Sequence, residues 1–314
     1  MLYHHLTDAI GNTPMIELRR LSPKPSVRIF AKLEGFNPTG SLKDRIVKYM
    51  IERAEASGAL APGKILLEPT SGNTGISLGM FAKIKGYPLR VVMPDNVSTE
   101  RRELLHAFGV EVTLSPGSEG TNGAIRMAHS ILKEDDRHFM LDQYGNPNNV
   151  LAHYETTAEE IIEDLKGIVT SIDLFVAGLG TGGTLMGAGR RLKETYPNIT
   201  IMAVQPYPKG GLQGLRSLMD GYVPPIFDIN CIDVNEVVKD EDAFRMVKQL
   251  AEVEGILGGI SSGAVIYRVL KAAEHMEKGV IVTILPDGGW KYLSEQIWTD
   301  DATAVSKRFQ GPMW

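Results

Sequence analysis

Residues 37–45 read Asn-Pro-Thr-Gly-Ser-Leu-Lys-Asp-Arg and place one lysine, Lys43, where a polar turn becomes a helix. Proline and glycine interrupt any preceding strand, and a helical pattern follows from Leu42 to about Ala56. In the first turn of a helix the macrodipole disfavours a positive charge, which lowers the cost of deprotonating an amine. The stretch therefore predicts a helix whose first turn presents a lysine that can react as a neutral amine. Its neighbours Asp44 and Arg45 are expected to form structural ion pairs.

Strand patterns and helical patterns alternate along the chain on both sides of Lys43. Strands are predicted at residues 27–33, 65–68, 89–93, 111–114, 138–141, 174–177, 200–204 and 280–285. Helices are predicted at residues 42–56, 76–85, 99–108, 122–133 and 242–254, and from His153, Thr184 and Ser262 onwards. Strands separated by helices of this length indicate parallel sheets with helices on both faces. We therefore expect two doubly wound α/β domains that meet at the turn-rich segment 146–153.

Two of the predicted strands run directly into loops of small polar residues. One loop, residues 70–75, reads Thr-Ser-Gly-Asn-Thr-Gly, and the other, residues 178–184, reads Gly-Leu-Gly-Thr-Gly-Gly-Thr. In open parallel sheets, ligands bind beyond the carboxyl ends of the strands. Both loops are therefore expected at a binding site. The alternative for the first loop is that Ser71 or Thr74 only caps the helix beginning near Ile76.

The glycine-rich loop departs from two common nucleotide-binding patterns. A dinucleotide site expects G-x-G-x-x-G/A and an acidic residue about 20 positions later, but here the third glycine falls one place early. A P-loop needs lysine and then serine or threonine after its last glycine, where this chain has Thr184-Leu185. Backbone N–H groups at a helix start, with the Thr181 and Thr184 hydroxyls, suit one phosphate monoester. The alternative is a glycine turn that serves only close strand–helix packing.

The composition predicts a cytosolic protein that binds neither nucleic acid nor membranes. The 314 residues carry a net charge of −5 without any basic block, which argues against a nucleic-acid partner. No apolar run approaches the roughly 18 residues of a membrane span, and the N-terminus lacks the pattern of a signal peptide. The lone cysteine, Cys231, fits a reducing compartment. The scattered histidines predict no metal site.

An amine, a phosphate cradle and a loop that can grip a carboxylate suit an enzyme that uses pyridoxal phosphate (PLP) on an amino acid. The three motifs resemble the fold-type II PLP family, and within it the cysteine synthases. The similarity runs from residues 10–14 to residues 290–294, and the type-B synthases are most similar because of residues 214–217 and 287–291. The resemblance implies a tryptophan synthase β-like fold. A smaller, mobile domain would span 36–150, and a larger domain with the phosphate loop would combine 1–35 and 151–314.

The resemblance also assigns roles to individual positions. It implies that Lys43 binds PLP covalently, that Asn73 hydrogen-bonds its phenolic oxygen, and that Ser261 faces its pyridine nitrogen. The residues expected around the PLP phosphate are Gly180, Thr181, Gly182, Gly183 and Thr184. The residues expected to bind the substrate carboxylate are Thr70, Ser71, Thr74 and Gln143. Arg216 aligns with an arginine implicated in O-phosphoserine use, the alternative being a surface arginine paired with a carboxylate such as Asp220.

The reaction that the resemblance implies is β-replacement. Lys43 would remove the Cα proton, acetate or phosphate would leave, and a sulfur donor would add to give L-cysteine. The sequence leaves open whether that donor is sulfide, thiosulfate or a thiocarboxylated carrier protein, and the resemblance implies a homodimer. Two alternatives are β-replacement of the cystathionine β-synthase type and a non-catalytic homologue that binds a partner peptide in the same cleft.

Overall fold

The protein is described from a computed structural model, which covers residues 2–70, 72–208 and 210–309. The strands in these residues are β1 (Met15–Glu17), β2 (Val27–Leu33), β3 (Ile65–Pro69), β4 (Leu89–Pro94), β5 (Glu111–Ser115), β6 (His138–Met140), β7 (Leu174–Gly178), β8 (Thr200–Pro206), β9 (Val234–Val238) and β10 (Gly279–Leu285). The α-helices are α1 (Lys43–Ala56), α2 (Asn73–Lys85), α3 (Thr99–Ala107), α4 (Gly120–Glu134), α5 (Pro147–Ala152), α6 (Ala158–Leu165), α7 (Arg190–Thr195), α8 (Asp240–Glu254), α9 (Ile260–His275) and α10 (Ala302–Arg308).

The strands form two sheets. One has the order β1-β2-β10-β7-β8-β9 and is parallel except for β1, which pairs antiparallel with β2. The other has the order β5-β4-β3-β6 and is parallel throughout. The predicted α/β fold with parallel-rich sheets is thereby confirmed. The predicted domain boundaries remain a prediction, although all four strands of the smaller sheet fall between residues 65 and 140.

Both sheets are buried on both faces. In β3, Leu66 packs into the core beneath α1 and α2, whereas the next residue, Leu67, packs with Val92 against α4 on the opposite face. Successive side chains of a strand point to opposite faces, so two consecutive buried leucines require a cover on each side. The larger sheet is also covered on both faces, because the consecutive residues Ile29 and Phe30 of β2 pack into two different hydrophobic cores.

The helix predicted from His153 begins six residues earlier, at Pro147. The Asn146 side chain accepts a hydrogen bond from the Asn148 N–H, and proline occupies the first helical turn. An asparagine cap followed by proline favours a helix start. The sequence analysis instead predicted that these residues form a turn-rich joint. The helix then continues through a π-helical segment, His153–Thr157, into α6. The prediction of a turn-rich segment over 146–153 is therefore wrong from residue 147 onwards, where the chain is helical.

Three short elements were not predicted from the sequence. They are β1, β9 and α10. Strand β1 has three residues, too few for an alternating pattern to be read. Strand β9 lies at the sheet edge and buries only its last residue, Val238, so its hydrophobic signal is weak.

The carboxyl ends of strands from both sheets meet at one place. Strand β3 ends at Pro69, directly before the 70–75 loop, and β7 ends at Gly178, at the start of the 178–184 loop. The backbone N–H of Leu42 donates to Pro286 O at 2.9 Å, which joins the turn before α1 to the end of β10. This arrangement gives the two sheets a common cleft at the edge where parallel folds bind ligands.

Candidate active site

One cavity opens at the shared edge of the two sheets. It is lined by Leu42, Lys43, Thr70, Asn73, Thr74, Arg101, Gln143, Tyr144, Gly180, Thr181, Gly214, Ser261, Pro286 and Tyr292. The structure therefore brings together side chains from all three motifs that the sequence analysis singled out. Four of the predicted site residues, Gly182, Gly183, Thr184 and Arg216, lie outside this lining. Ser71 is not among the residues that the structure describes.

Lys43 is the first residue of α1 and lies half-buried at the cavity wall. Burial lowers the pKa of its amine to about 8, and the Asp287 carboxylate acts in the opposite direction. The sequence predicts a lowered pKa for the Lys43 amine because the residue lies at the start of a helix. The structure gives burial as the principal cause. A lysine in this state is neutral in a useful fraction of molecules near neutral pH.

The turn before Lys43 is held by buried polar groups. Asp44 accepts hydrogen bonds from the Thr39 N–H, at 2.7 Å, and from the Thr39 hydroxyl. Arg45 forms buried ion pairs with Glu34 at 2.8 Å and with Glu160 at 2.5 Å. The predicted ion pairing is thus confirmed for Arg45, whereas Asp44 closes the turn through hydrogen bonds.

The 70–75 loop and Gln143 form one hydrogen-bonded unit. The Thr74 hydroxyl donates to Gln143 Oε1 at 2.7 Å, and Gln143 Nε2 donates to Pro69 O at 3.1 Å. Helix α2 follows Gly72 and has no side-chain cap. Thr74 therefore binds Gln143 and does not cap the helix, so that alternative is wrong for Thr74. The unit lies on the cavity, and the Gln143 amide nitrogen carries a second hydrogen that an acceptor such as a carboxylate can bind.

The glycine-rich loop has a shape that larger residues would not allow. Gly182 has a φ of 92°, in the left-handed region that favours glycine. A Cβ at Gly183 would lie 1.9 Å from Asn149 Oδ1. Asn149 Nδ2 donates to Thr181 Oγ1 at 3.0 Å and to Gln143 O at 2.7 Å. Asn149 thus connects the glycine-rich loop to the unit that contains Gln143.

Thr184 lies behind the loop and contacts a buried histidine. His153 Nε2 is 3.3 Å from Thr184 Oγ1, and His153 Nδ1 is 2.9 Å from Thr157 Oγ1. Burial lowers the pKa of His153 well below its usual value, and the positive charge of Lys43 adds to the effect. The neutral ring is a packed histidine, one of the environments expected from the sequence.

Ser261 lies in the first turn of α9, opposite Gly214. A Cβ at Gly214 would stand 3.5 Å from Ser261 Oγ, and Gly214 has a φ of 92°. A glycine there leaves space in front of the hydroxyl. Ser261 is 3 % exposed, so any ligand that reaches it must enter the cavity fully.

Arg216 is a buried arginine behind the cavity wall. It is 0 % exposed, and its guanidinium carbon lies 4.7 Å from the Tyr222 ring centroid and 5.3 Å from that of Tyr144. Its Nη1 donates to Asn122 Oδ1 at 3.0 Å. The alternative of a surface arginine is therefore wrong. Of the two aromatic neighbours, Tyr144 lines the cavity, so the positive charge lies one side chain away from it.

Sequence reasoning did not assign four charged or aromatic residues near the cavity: Arg101, Asp287, Lys291 and Tyr292. Asp287 Oδ2 accepts from Asn73 Nδ2 at 2.8 Å and from the Tyr292 hydroxyl at 2.6 Å. The guanidinium carbon of Arg101 lies 4.7 Å from the Tyr292 ring centroid. In the sequence, residues 287–291 indicate only the similarity to the type-B cysteine synthases. Their sequence separation from Asn73 left no local signal of the contact.

The residues present fit pyridoxal phosphate. The half-buried Lys43 amine, with its lowered pKa, can react with an aldehyde. Gly180 and Thr181 of the glycine-rich loop line this cavity, where the backbone N–H groups of the loop can meet a phosphate, and Ser261 offers a neutral hydroxyl on the same cavity. An amine, a cradle and an uncharged polar partner are the groups that the cofactor's aldehyde, phosphate and ring need.

The described parts of the chain contain neither a candidate metal site nor a candidate membrane-spanning helix. No group of three or more His, Cys, Asp or Glu side chains in residues 2–70, 72–208 and 210–309 is placed to hold a metal ion. Over the same residues, no helix combines the length and apolar character needed to cross a membrane.

Comparisons with known proteins agree with this geometry. Residues 6–287 match the family described as pyridoxal-phosphate dependent enzymes. A cysteine synthase from Staphylococcus aureus is 42% identical over 305 residues, which cover 95% of this chain and 97% of that protein. The crystal structure of a hydrogen sulfide-producing enzyme from Fusobacterium nucleatum superposes with a TM-score of 0.87 at 39% identity, covering 93% of this chain and 100% of that one. A cysteine synthase from Entamoeba histolytica gives a TM-score of 0.88 at 35% identity, covering 98% and 96%.

Proposed function

The chain belongs to the family of pyridoxal-phosphate dependent enzymes, and from that membership we propose that it makes L-cysteine by β-replacement on an O-activated serine. The observation that carries the proposal is the position of the Lys43 amine. It lies on one cavity with the Thr74–Gln143 unit and with the glycine-rich loop. A cavity that offers an amine, a carboxylate site and a phosphate cradle suits an amino-acid substrate and PLP.

PLP supplies an electron sink that makes the Cα proton of a bound amino acid acidic. In this proposal Lys43 Nζ holds the cofactor aldehyde, and the Gly180–Thr184 loop binds the phosphate with its backbone N–H groups. Asn73 donates to the phenolic oxygen. Ser261 faces the pyridine nitrogen, where a hydroxyl cannot supply the full charge of a carboxylate and therefore keeps the sink weak.

Lys43 is proposed to move the proton as well as to hold the cofactor. Lys43 Nζ, once free, would take the Cα proton of the bound substrate, and acetate or phosphate would leave from Cβ. A Cβ–S bond then forms with the sulfur donor, and Nζ returns the proton to Cα. An amine with a pKa near 8 can both accept and donate a proton near neutral pH.

The substrate carboxylate is proposed to bind Thr70, Ser71, Thr74 and Gln143. The described members of this set belong to the smaller sheet's loops, whereas the proposed phosphate loop follows strand β7 of the larger sheet. Binding one substrate to both sets draws the two sheets together. We therefore propose that residues 36–150 move as a smaller domain and exclude water from the reacting atoms.

The pH dependence of cofactor attachment follows from the pKa of Lys43. Below a pKa of about 8, the neutral fraction of the amine rises about tenfold per pH unit. The rate at which PLP attaches to cofactor-free protein should therefore rise between about pH 6 and pH 8 and level off above. Stopped-flow absorbance measures this rate. Asp287→Asn should shift the midpoint to lower pH, because the Asp287 charge raises the pKa of Lys43. A rate independent of pH across this range would refute the assignment.

We propose that Arg216 favours O-phosphoserine over O-acetylserine. Its buried charge lies behind Tyr144, where it attracts a phosphate dianion more than a neutral ester. Arg216→Ala should lower kcat/KM for O-phosphoserine about tenfold more than kcat/KM for O-acetylserine. Steady-state kinetics with both esters give the ratio, and Tyr222→Phe serves as a control that keeps the charge. Equal losses with both esters would show that Arg216 acts only by packing against Tyr144.

The function is tested by supplying each ester with sulfide to the PLP-loaded protein and measuring L-cysteine. Thiosulfate and a thiocarboxylated carrier protein are then offered in place of sulfide, since either is a candidate donor. Homocysteine tests the alternative, because a cystathionine β-synthase-type enzyme would form cystathionine faster than cysteine. A protein that binds PLP but forms neither product from any ester would contradict the proposal.

A second candidate is sulfide release from L-cysteine. The observation that favours it is the similarity to a hydrogen sulfide-producing enzyme at 39% identity. The same cavity would bind L-cysteine by its carboxylate, and Lys43 would take its Cα proton as sulfide leaves from Cβ; water would then add at Cβ, and Lys43 would return the proton to Cα, so that serine is the co-product. The rate of sulfide release from L-cysteine alone is measured and compared with the rate of L-cysteine formation. The faster of the two shows which reaction dominates.

We also propose that the protein works in the cytoplasm as a homodimer. The lone cysteine, which is exposed and free, supports a reducing compartment. The dimer rests on resemblance to the family. Light scattering of the purified protein should give twice the chain mass of 34.4 kDa.

A further inference from the structure

Lys291 is a fully buried lysine that connects the two loops around the candidate site. Its side chain is 0 % exposed, and its Nζ donates to Asn73 Oδ1 at 2.7 Å and to Gly40 O at 3.0 Å. Gly40 lies in the turn before Lys43, and Asn73 begins α2. A buried ammonium is costly unless it is paired, so these contacts fix both partners strongly.

Asp287 holds the other half of the Asn73 amide. Asn73 Nδ2 donates to Asp287 Oδ2 at 2.8 Å, and the same oxygen accepts from the Tyr292 hydroxyl at 2.6 Å. An ammonium can only donate hydrogen bonds, and a carboxylate can only accept them. Oδ1 must therefore face Lys291, and Nδ2 must face Asp287. The chemistry of the two neighbours fixes the orientation of the amide.

We propose that Lys291 is a positioning residue that sets the Asn73 amide so that the second hydrogen of Nδ2 is available to the phenolic oxygen of PLP. This inference rests on the proposed function, which gives Asn73 its role toward the cofactor. Asn73 lines the cavity, whereas Lys291 lies behind it and outside the lining. Lys291 therefore acts through Asn73 and does not touch the reacting atoms.

The charge of Lys291 also balances the charges around Lys43. Burial lowers the pKa of Lys291 to about 8, and Asp287 and Asp44 oppose this, so the ammonium form predominates at neutral pH. Arg101 is a further cation near this group. The charge of Asp287 also raises the pKa of Lys43. Without Lys291, the Asp287 carboxylate would lose one buried cation that acts on it, and the Asn73 amide would be held from one side only.

The test compares cofactor binding in the Lys291→Met and Lys291→Gln variants with wild type. Titration of cofactor-free protein gives the PLP dissociation constant, and the loaded proteins give the visible absorption band and its pH midpoint. Lys291→Met should weaken PLP binding about tenfold and shift the band. Lys291→Gln should restore most of both, because its amide can donate to Asn73 Oδ1. In an Asn73→Ala background, Lys291→Met should change neither quantity further.

Lys32 provides a matched control for the loss of a buried lysine. It is likewise 0 % exposed, and its Nζ bonds Thr13 O at 2.9 Å and Asp164 at 2.9 Å, away from the cavity. Lys32→Met should leave the absorption band unchanged. An unshifted band in both Lys291 variants, or an equal shift in Lys32→Met, would overturn the proposal. Because the readout is cofactor binding, a wild type that binds PLP yet makes no cysteine contradicts the proposed function alone.

Discussion

Lys43→Ala is expected to abolish cysteine formation while leaving the fold intact. The substitution removes both the amine that holds the cofactor and the base that takes the Cα proton. General acid–base catalysis alone contributes up to about 10⁴-fold, so we expect a loss of at least about that size. Steady-state assays measure the loss, and circular dichroism checks the fold. The visible absorption of the lysine-bound cofactor should also disappear.

Lys48→Ala is the control for this substitution. Lys48 lies on the same helix and donates to Thr7 O at 3.1 Å, but it does not line the cavity. Its removal should leave turnover and absorption near the wild-type values. A Lys43→Ala protein with normal turnover would mean that another group performs the chemistry.

Arg45→Met is expected to lower the free energy of unfolding by about 3–5 kcal/mol. Arg45 is buried between Glu34 and Glu160, and its loss leaves the fully buried Glu34 without that cation. Glu34 Oε2 also accepts from Asn37 Nδ2 at 2.9 Å, so the turn before Lys43 loosens as well. Urea unfolding of the cofactor-loaded protein measures the change, and PLP affinity should fall with it.

Arg53→Met is the matched control, because Arg53 belongs to the same helix and pairs with Glu155 at the surface. Its side chain is 51% exposed, and an exposed pair contributes about 0–1 kcal/mol. Comparable losses in the two variants would argue that burial of the Arg45 cluster does not matter for stability.

Eight of the ten strands in the described residues and the two site loops could be predicted because their signals are local. Residues 65–69 read Ile-Leu-Leu-Glu-Pro and lead at once into small polar residues, a pattern that places a strand end and a loop without knowledge of the fold. The turn before Lys43 was equally readable, since proline, glycine and serine precede a helical pattern. These features depend on spacing within about ten residues, as helix caps and turns do.

The environment of the site could not be predicted because it depends on contacts between distant segments. Lys291 and Asn73 are 218 residues apart in the chain, and nothing near either residue indicates their hydrogen bond. The burial of Arg216 between two tyrosines is a similar case. Burial also changes the explanation for the reactivity of Lys43, which the sequence could relate only to the helix start. Tertiary contacts of this kind determine pKa values and side-chain orientation, and no local pattern encodes them.

We expect that the cofactor is bound by Lys43 and by no other lysine. Lys291 is the demanding comparison, because it is also buried and its pKa is also lowered to about 8. Borohydride reduction of the PLP-loaded protein makes the lysine linkage permanent, and mass spectrometry of the digest locates it. We expect the added mass on the peptide that contains Lys43. The same mass on the peptide that contains Lys291, or on none, would contradict it.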